Sequence, residues 1–321
     1  MSKVWKKNII ALVVDEVHCI SEWGEDFRKE FRHLHELRSA IRAPVLALTA
    51  TSTEAVKQDI KKYLQIDDAI VIYTSPDRPN IFIDFTKAES TDLEGKFYWL
   101  LSYLREKKSA AKKIIVYCRS VDKVAEVFIL LRRNLGLDAY VDGIKDSSHA
   151  LVEMFHRHDE SKARILRNFK DPDSNLRCLI ATVALGMGIQ IDDVDIVMHL
   201  GSPKSILSYW QEMGRCARDG RPGYSYVLYD NFTLSCKGTQ KDVKSIVNVE
   251  TCFRKTVLSY LGDKTDPSVP EVCNGDCDTE RCLCAKCLCC SRCQQQCPSK
   301  EKQFDITKFA SLTDGPTDQL Y

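Results

Sequence analysis

Along this chain of 321 residues, short apolar runs alternate with stretches of helical periodicity. Ile10-Ala11-Leu12-Val13-Val14 has the pattern of a fully buried strand, and Val45-Leu46-Ala47-Leu48 reads as a second strand. From Thr53 to Leu64 the apolar residues Val56, Ile60 and Leu64 recur every four positions. This predicts a helix with Ser52 or Thr53 as its N-cap. Pro76 and Pro79 mark a linker. In residues 81–232 the runs Ile114–Tyr117, Leu179–Ala181, Ile196–Leu200 and Ser225–Leu228 predict strands separated by helices. Such alternation predicts an α/β fold, a parallel sheet with helices on both faces. Ligands of such sheets bind beyond the carboxyl ends of the strands. Residues 233–298 read as helical and Cys-rich, and 299–321 as a polar tail. No internal repeat interrupts this order.

Composition narrows the class. With 44% hydrophobic and 28% charged residues the chain matches an ordinary globular protein. No apolar run approaches the roughly 20 residues that span a bilayer, so no membrane partner is expected. Met1-Ser2-Lys3-Val4-Trp5-Lys6-Lys7 leads directly into a strand, unlike a secretory signal. The net charge of +1 does not announce a nucleic-acid binder. Residues 105–133, however, hold nine Lys and Arg against Glu106, Asp122 and Glu126, a stretch suited to phosphates. Of the 15 cysteines, ten lie between Cys252 and Cys297. That clustering in an otherwise intracellular-type sequence reads as zinc rather than disulfides.

The first strand ends in Asp15-Glu16. At such a place an NTPase holds hydrated Mg²⁺ with the first carboxylate and orients the attacking water with the second. The longer string Asp15-Glu16-Val17-His18-Cys19-Ile20-Ser21-Glu22-Trp23-Gly24-Glu25-Asp26-Phe27-Arg28 resembles motif II and the aromatic-rich loop of RecQ-family DNA helicases of superfamily 2. The resemblance continues in order. Leu48-Thr49-Ala50-Thr51 is similar to motif III, and Asp77-Arg78-Pro79-Asn80-Ile81 to the segment opening the second motor lobe. Val116-Tyr117-Cys118-Arg119-Ser120 is similar to motif IV, and Ala181-Thr182-Val183-Ala184-Leu185-Gly186-Met187-Gly188-Ile189 to motif V. Gln211-Glu212-Met213-Gly214-Arg215-Cys216-Ala217-Arg218-Asp219-Gly220 resembles motif VI. Cys252-Phe253-Arg254-Lys255 resembles the helix that opens the family's zinc-binding subdomain. The likeness spans residues 8 to 284.

The resemblance implies RecA-like lobes, the first partial over 1–72 and the second nearly complete over 73–232. A zinc-binding subdomain over 233–298 and the tail over 299–321 follow. It implies a 3′-to-5′ DNA helicase driven by ATP and Mg²⁺, acting in the nucleus on single-stranded DNA and duplex junctions. The catalytic residues would be Asp15, Glu16, His18, Gln211, Arg215 and Arg218. Arg215 and Arg218, three apart on a predicted helix, would share a face, and one would act as an arginine finger on the γ-phosphate. DNA would meet Trp23, Phe27 and Arg28 of the aromatic loop, Ser120 at a helix N-cap, and Thr182. Zinc would be held by Cys252, Cys273 and Cys277, with Cys282 or Cys284 as the fourth ligand. The further run Cys287-Leu288-Cys289-Cys290-Ser291-Arg292-Cys293 and Cys297 exceeds what one zinc needs, and with Cys282 or Cys284 it offers a second zinc site.

Some positions depart from the family. Glu25 stands where most relatives carry His, Val121 and Asp195 replace an Arg, and Gln190 replaces Asp or Asn. These changes are expected to weaken DNA-facing or coupling contacts. No Gly-Lys-Ser/Thr loop is present to cradle phosphates. The single Gly-Lys, Gly95-Lys96, precedes Phe97 and follows motif II. The chain is therefore expected to begin inside the first lobe. The runner-up reading is a catalytically inactive, zinc-containing nucleic-acid-binding or interaction module.

Overall fold

Two parallel strands and six parallel strands account for the apolar runs. The computed structural model describes residues 8–22, 34–41, 43–88, 92–156, 161–182, 185, 191–263, 288–296 and 305–311. Trp23, Phe27, Arg28, Cys273, Cys277, Cys282 and Cys284 lie outside the described residues. The chain divides into two compact units, Met1–Asp77 with Val257–Pro267, and Arg78–Thr256 with Ser268–Tyr321. The segment expected to form a Cys-rich subdomain of its own contributes to both.

In the first unit, β1 (Leu12–Val14) pairs with β2 (Val45–Ala47), Leu12 opposite Val45 and Val14 opposite Ala47. Helices α1 (Cys19–Glu22), α2 (Leu34–Ala40) and α3 (Glu54–Leu64) also belong to it. Thr53 is the N-cap of α3, its hydroxyl accepting from Val56 N at 3.3 Å, and Val56, Ile60 and Leu64 are buried as their spacing predicts. The first strand is shorter and wetter than a fully buried one. Ile10 is 89% and Val13 54% exposed. The reason is that β1 has β2 as its one strand neighbour among the described residues, which leaves apolar surface in water.

The second unit runs β3 (Ile81–Lys87), α4 (Leu93–Lys107), β4 (Lys113–Cys118), α5 (Val121–Leu135), β5 (Val152–Phe155), α6 (Lys162–Lys170), β6 (Cys178–Ala181), β7 (Val194–Leu200), α7 (Ile206–Met213) and β8 (Gly223–Tyr229). Then come α8 (Asn231–Ser235), α9 (Lys241–Val247), α10 (Phe253–Tyr260), α11 (Ser291–Gln295) and α12 (Ile306–Ser311). The unit boundary falls within α10. The sheet order is β3-β8-β7-β4-β6-β5, every pair parallel. Parallel strands need cover on both faces, and they have it. Phe97, Leu100 and Leu104 of α4 and Val124, Val127 and Leu131 of α5 form one core with Ile114, Val116 and Cys118. On the other face Tyr209 of α7 packs edge-on to Phe85, ring centroids 5.1 Å apart.

Two strands carry no clear signal in the sequence. In β3 the acid Asp84 interrupts the apolar run, yet it is buried, accepting from Tyr224 Oη at 2.8 Å and Thr86 Oγ1 at 2.9 Å. Burial pushes its carboxyl above the usual range. Strand β5 is only four residues, with Glu153 inside it. As the edge strand, β3 would present unpaired backbone groups. The cysteine segment covers part of that edge: Ile83 N donates to Cys289 O at 3.3 Å and Phe85 N to Ser291 Oγ at 3.3 Å.

Candidate active site and metal centre

The loop after β1 is tied to the loop after β2 by extension of their ladder. Leu48 N donates to Val14 O and Val17 N to Leu48 O, both at 2.9 Å. This brings His18 against Thr49, Nδ1 to Oγ1 at 2.9 Å. Thr49 spends its own proton on Thr51 O at 2.8 Å, so the imidazole Nδ1 is the donor and the ring is the neutral Nδ1–H tautomer. Burial agrees, pushing the His18 pKa down to about 4 against the pull of Asp15. Glu16 Oε2 lies 3.4 Å from the same nitrogen. Asp15 and Glu16 are themselves exposed, and Glu16 sits at φ +49°, a left-handed position that side chains adopt at some cost. Two solvent-facing carboxylates are hard oxygen donors, which suits a Mg²⁺ that keeps most of its water. The structure thus links three expected residues of one motif to the threonine of the next.

The expected helix bearing Arg215 and Arg218 stops early. Helix α7 ends at Met213, and both arginines sit on the turn that follows. The cause is visible. Ala217 takes φ +47°, and carbonyls of Gly214, Cys216 and Ala217 turn to the Arg78 guanidinium at 3.0, 2.9 and 2.8 Å. Arg215 is buried, whereas Arg218 is exposed and donates Nε to Gly214 O at 3.2 Å. Burial, then Arg215 and Arg78, push the Arg218 guanidinium below its usual range, a sign of concentrated positive charge. Gln211, half-buried, lies in the last turn of α7. Below it Glu212 Oε2 meets His199 Nε2 at 2.7 Å, with His199 stacked on Tyr117 at 5.3 Å. Asp195, expected to weaken a DNA-facing contact, is instead buried. It accepts Lys113 N at 2.8 Å and pairs with Arg221 at 3.3 Å, so its charge serves the packing of β4 and the turn.

Ser120 caps α5, its hydroxyl accepting from Lys123 N at 3.2 Å. Thr182, at the end of β6, is buried, and its carbonyl accepts from Leu185 N at 3.1 Å. Gly95 and Lys96 lie in the first turn of α4, where Asp92 already caps Glu94 N and Gly95 N at 3.1 and 2.9 Å. No phosphate loop is formed there.

Four thiols converge elsewhere. Cys252, Cys289, Cys290 and Cys293 have sulfur atoms all within 4.8 Å of one another. Cys252 Sγ is 3.5 Å from Cys289 Sγ and 3.9 Å from Cys290 Sγ. A disulfide needs about 2.05 Å, so these are thiols. A tetrahedral ion with Zn–S of about 2.3 Å needs S···S edges of about 3.8 Å, close to the two Cys252 distances and compatible with the 4.8 Å bound on the rest. The three neighbouring thiols hold the Cys252 thiol far below its ordinary range by hydrogen bonding. Cys252 is expected in such a site; among the described residues its neighbours are Cys289, Cys290 and Cys293 of the run expected to offer a second zinc site, while the other expected ligands Cys273, Cys277, Cys282 and Cys284 lie outside the described residues. The other residues that sequence reasoning missed are Arg78, Asn80 and Arg254. They belong to the strings Asp77–Ile81 and Cys252–Lys255, and nothing in those strings marks them as clamps.

Comparison with known proteins agrees with this geometry. Residues 95–220 match the helicase conserved C-terminal domain. The chain is 31% identical to the ATP-dependent DNA helicase hus2/rqh1 of Schizosaccharomyces pombe, over 83% of this chain and 20% of that protein. It is 32% identical to the bifunctional 3′-5′ exonuclease/ATP-dependent helicase WRN of Mus musculus, over 80% and 19%. It is 31% identical to the ATP-dependent DNA helicase RecQ of Pasteurella multocida, over 78% and 39%. The chain thus spans from about a fifth to two fifths of these relatives. In fold it resembles Saccharomyces cerevisiae Dbp5 bound to RNA and ADP BeF3, with a TM-score of 0.54 and 18% identity over 80% of this chain and 58% of that one. It also resembles Mycobacterium smegmatis helicase Lhr bound to ssDNA and AMP-PNP, with a TM-score of 0.53 and 18% identity over 70% and 29%. Among the described residues, no helix is long and apolar enough to cross a membrane. With ordered motifs, parallel sheets and these relatives in agreement, the chain belongs to the RecQ family of superfamily 2 helicases.

Proposed function

We propose that this chain carries motor elements of an ATP-dependent 3′-to-5′ DNA helicase that unwinds single-strand–duplex junctions in nuclear repair and recombination. The observation that carries the reading is the His18–Thr49 hydrogen bond, which joins the carboxylate motif to the threonine motif. Bound ATP and Mg²⁺ would supply the free energy and the Lewis acid. Asp15 would hold the metal's water shell and Glu16 would orient the attacking water. His18, neutral, would hold Glu16 and Thr49 in a fixed relation. Arg215 and Arg218 would supply positive charge to the transferring phosphoryl group, with Gln211 beside them. Ser120 and Thr182 would contact the DNA backbone, together with Trp23, Phe27 and Arg28 of the aromatic loop. Cys252, Cys289, Cys290 and Cys293 would hold one zinc as a structural ion, and its binding free energy would add to folding.

The 321 residues contain no Gly-Lys-Ser/Thr loop, so this chain alone should release phosphate from ATP far more slowly than a helicase does. DNA-stimulated phosphate release is the measurement. Fast release that vanishes in Glu16→Gln would refute that expectation and support the role of Glu16. Fast release that persists in Glu16→Gln would refute the role itself. Elemental analysis of the purified protein should find one zinc, lost in Cys293→Ser and retained in Cys118→Ser.

A further inference from the structure

The turn that carries Arg215 and Arg218 is held from outside. Its helix has ended, so its carbonyls lack intrahelical partners, and Ala217 is in the left-handed region. Arg78 gathers three of those carbonyls, from Gly214, Cys216 and Ala217. Asn80 Nδ2 adds Ala217 O at 3.0 Å and Arg221 O at 2.8 Å. The backbone of this clamp is in turn held by Arg254, which is buried. Arg254 Nη1 donates to Arg78 O at 2.7 Å, and Nη2 donates to Ile81 O and reaches Cys289 O at 3.5 Å. Arg254 follows Cys252 by two residues at the start of α10. One side of Arg254 is therefore fixed beside Cys252 and the other against the backbone of Cys289, both members of the thiol cluster.

We propose that Arg254 and Arg78 form a relay through which the four-cysteine cluster sets the geometry of the arginine-bearing turn. The proposal rests on the reading of that cluster as a zinc site. Both arginines are positioning residues, since they act through the turn. With zinc bound, Cys252 and Cys289 are kept at one separation, so Arg254 meets Arg78 O, Ile81 O and Cys289 O together. With zinc removed, the Cys289 segment is released from its metal tether and the shared donor loses a fixed acceptor. A planar guanidinium can bridge several acceptors in fixed directions, which a lysine ammonium does not reproduce. The whole series lies within the unit Arg78–Thr256 with Ser268–Tyr321.

The test uses the full chain loaded with zinc or with Co²⁺, whose tetrahedral thiolate absorption reports the cluster. Amide hydrogen exchange over residues 214–221 reports the turn, for which the Ala217 N to Val194 O bond at 2.7 Å is a marker. Chelation of the wild type should speed exchange there by about tenfold or more, the scale expected from losing charge-assisted hydrogen bonds. In Arg254→Gln and Arg254→Lys the Co²⁺ spectrum should persist, exchange at 214–221 should already be fast, and chelation should add little. Should Arg254→Gln fail to fold, Arg254→Lys and the wild-type chelation still decide. A cobalt signature combined with a turn indifferent to chelation overturns the relay and leaves the metal site standing. Absence of any cobalt signature overturns the metal reading, and the relay with it.

Discussion

His18 makes the loop after β1 sensitive to acid. Its folded pKa of about 4 lies below the ordinary 6.5, because burial disfavours the charged ring. The unfolded chain therefore binds more protons than the folded one between those values, so stability is full above about pH 6.5 and falls as pH drops toward 4. The upper bound is about 3 kcal/mol, from about 1.36 kcal/mol per pKa unit. The protection factors of residues 8–77, taken relative to the intrinsic exchange rate at each pH, should fall on acidification from pH 7 to 4, and His18→Gln should flatten that dependence. An unchanged slope in His18→Gln would show that other groups carry it. Glu16 adds a local tension of its own, holding a left-handed backbone beside the ring. Backbone strain of this kind is found at sites where a side chain must be aimed.

At the level of elements, the start of β8 packs closely on the arginine-bearing turn. A Cβ on Gly223 would lie 2.6 Å from Cys216 Sγ and 2.8 Å from Ala217 Cβ. Gly223→Ala should thus cost about 1–3 kcal/mol by overpacking and loosen the turn, measurable by denaturant unfolding of the second unit. A loss near zero would mean the turn yields freely and is not held as described. The sequence made some of these elements legible and hid others for identifiable reasons. Runs such as Ile114–Tyr117 are continuous and apolar because β4 lies in the middle of a covered parallel sheet. Strand β3 was not legible, since Asp84 breaks its run and its burial depends on Tyr224, 140 residues away. The N-cap roles of Thr53 and Ser120 were legible because capping is local. Cys252 stood out as a candidate ligand, but spacing does not say which of nine later cysteines folds back to it. Periodicity carried Arg215 and Arg218 onto a helix because it does not see Arg78, whose hydrogen bonds to the turn are long-range in sequence.

At the scale of the molecule, the two units are unequal. Among the described residues, one rests on two paired strands and the other on six. In the larger, the protection of the sheet edge is supplied very late in the chain: Phe85 and Ser291 are 206 residues apart. Closing so long a loop has an entropic cost that local contacts do not offset, so whatever anchors the cysteine segment decides whether the edge is covered. Stripping zinc should therefore raise light scattering at micromolar protein, and Lys substituted for Phe85-flanking Thr86 should suppress it by placing charge at the exposed edge. Scattering unaffected by metal removal would refute this. For a cell the consequence is one of supply. On the reading of the four thiols as a zinc site, a newly made chain would keep its β3 edge open until synthesis reaches the cysteines and a metal ion is at hand, so zinc scarcity would show itself as insolubility.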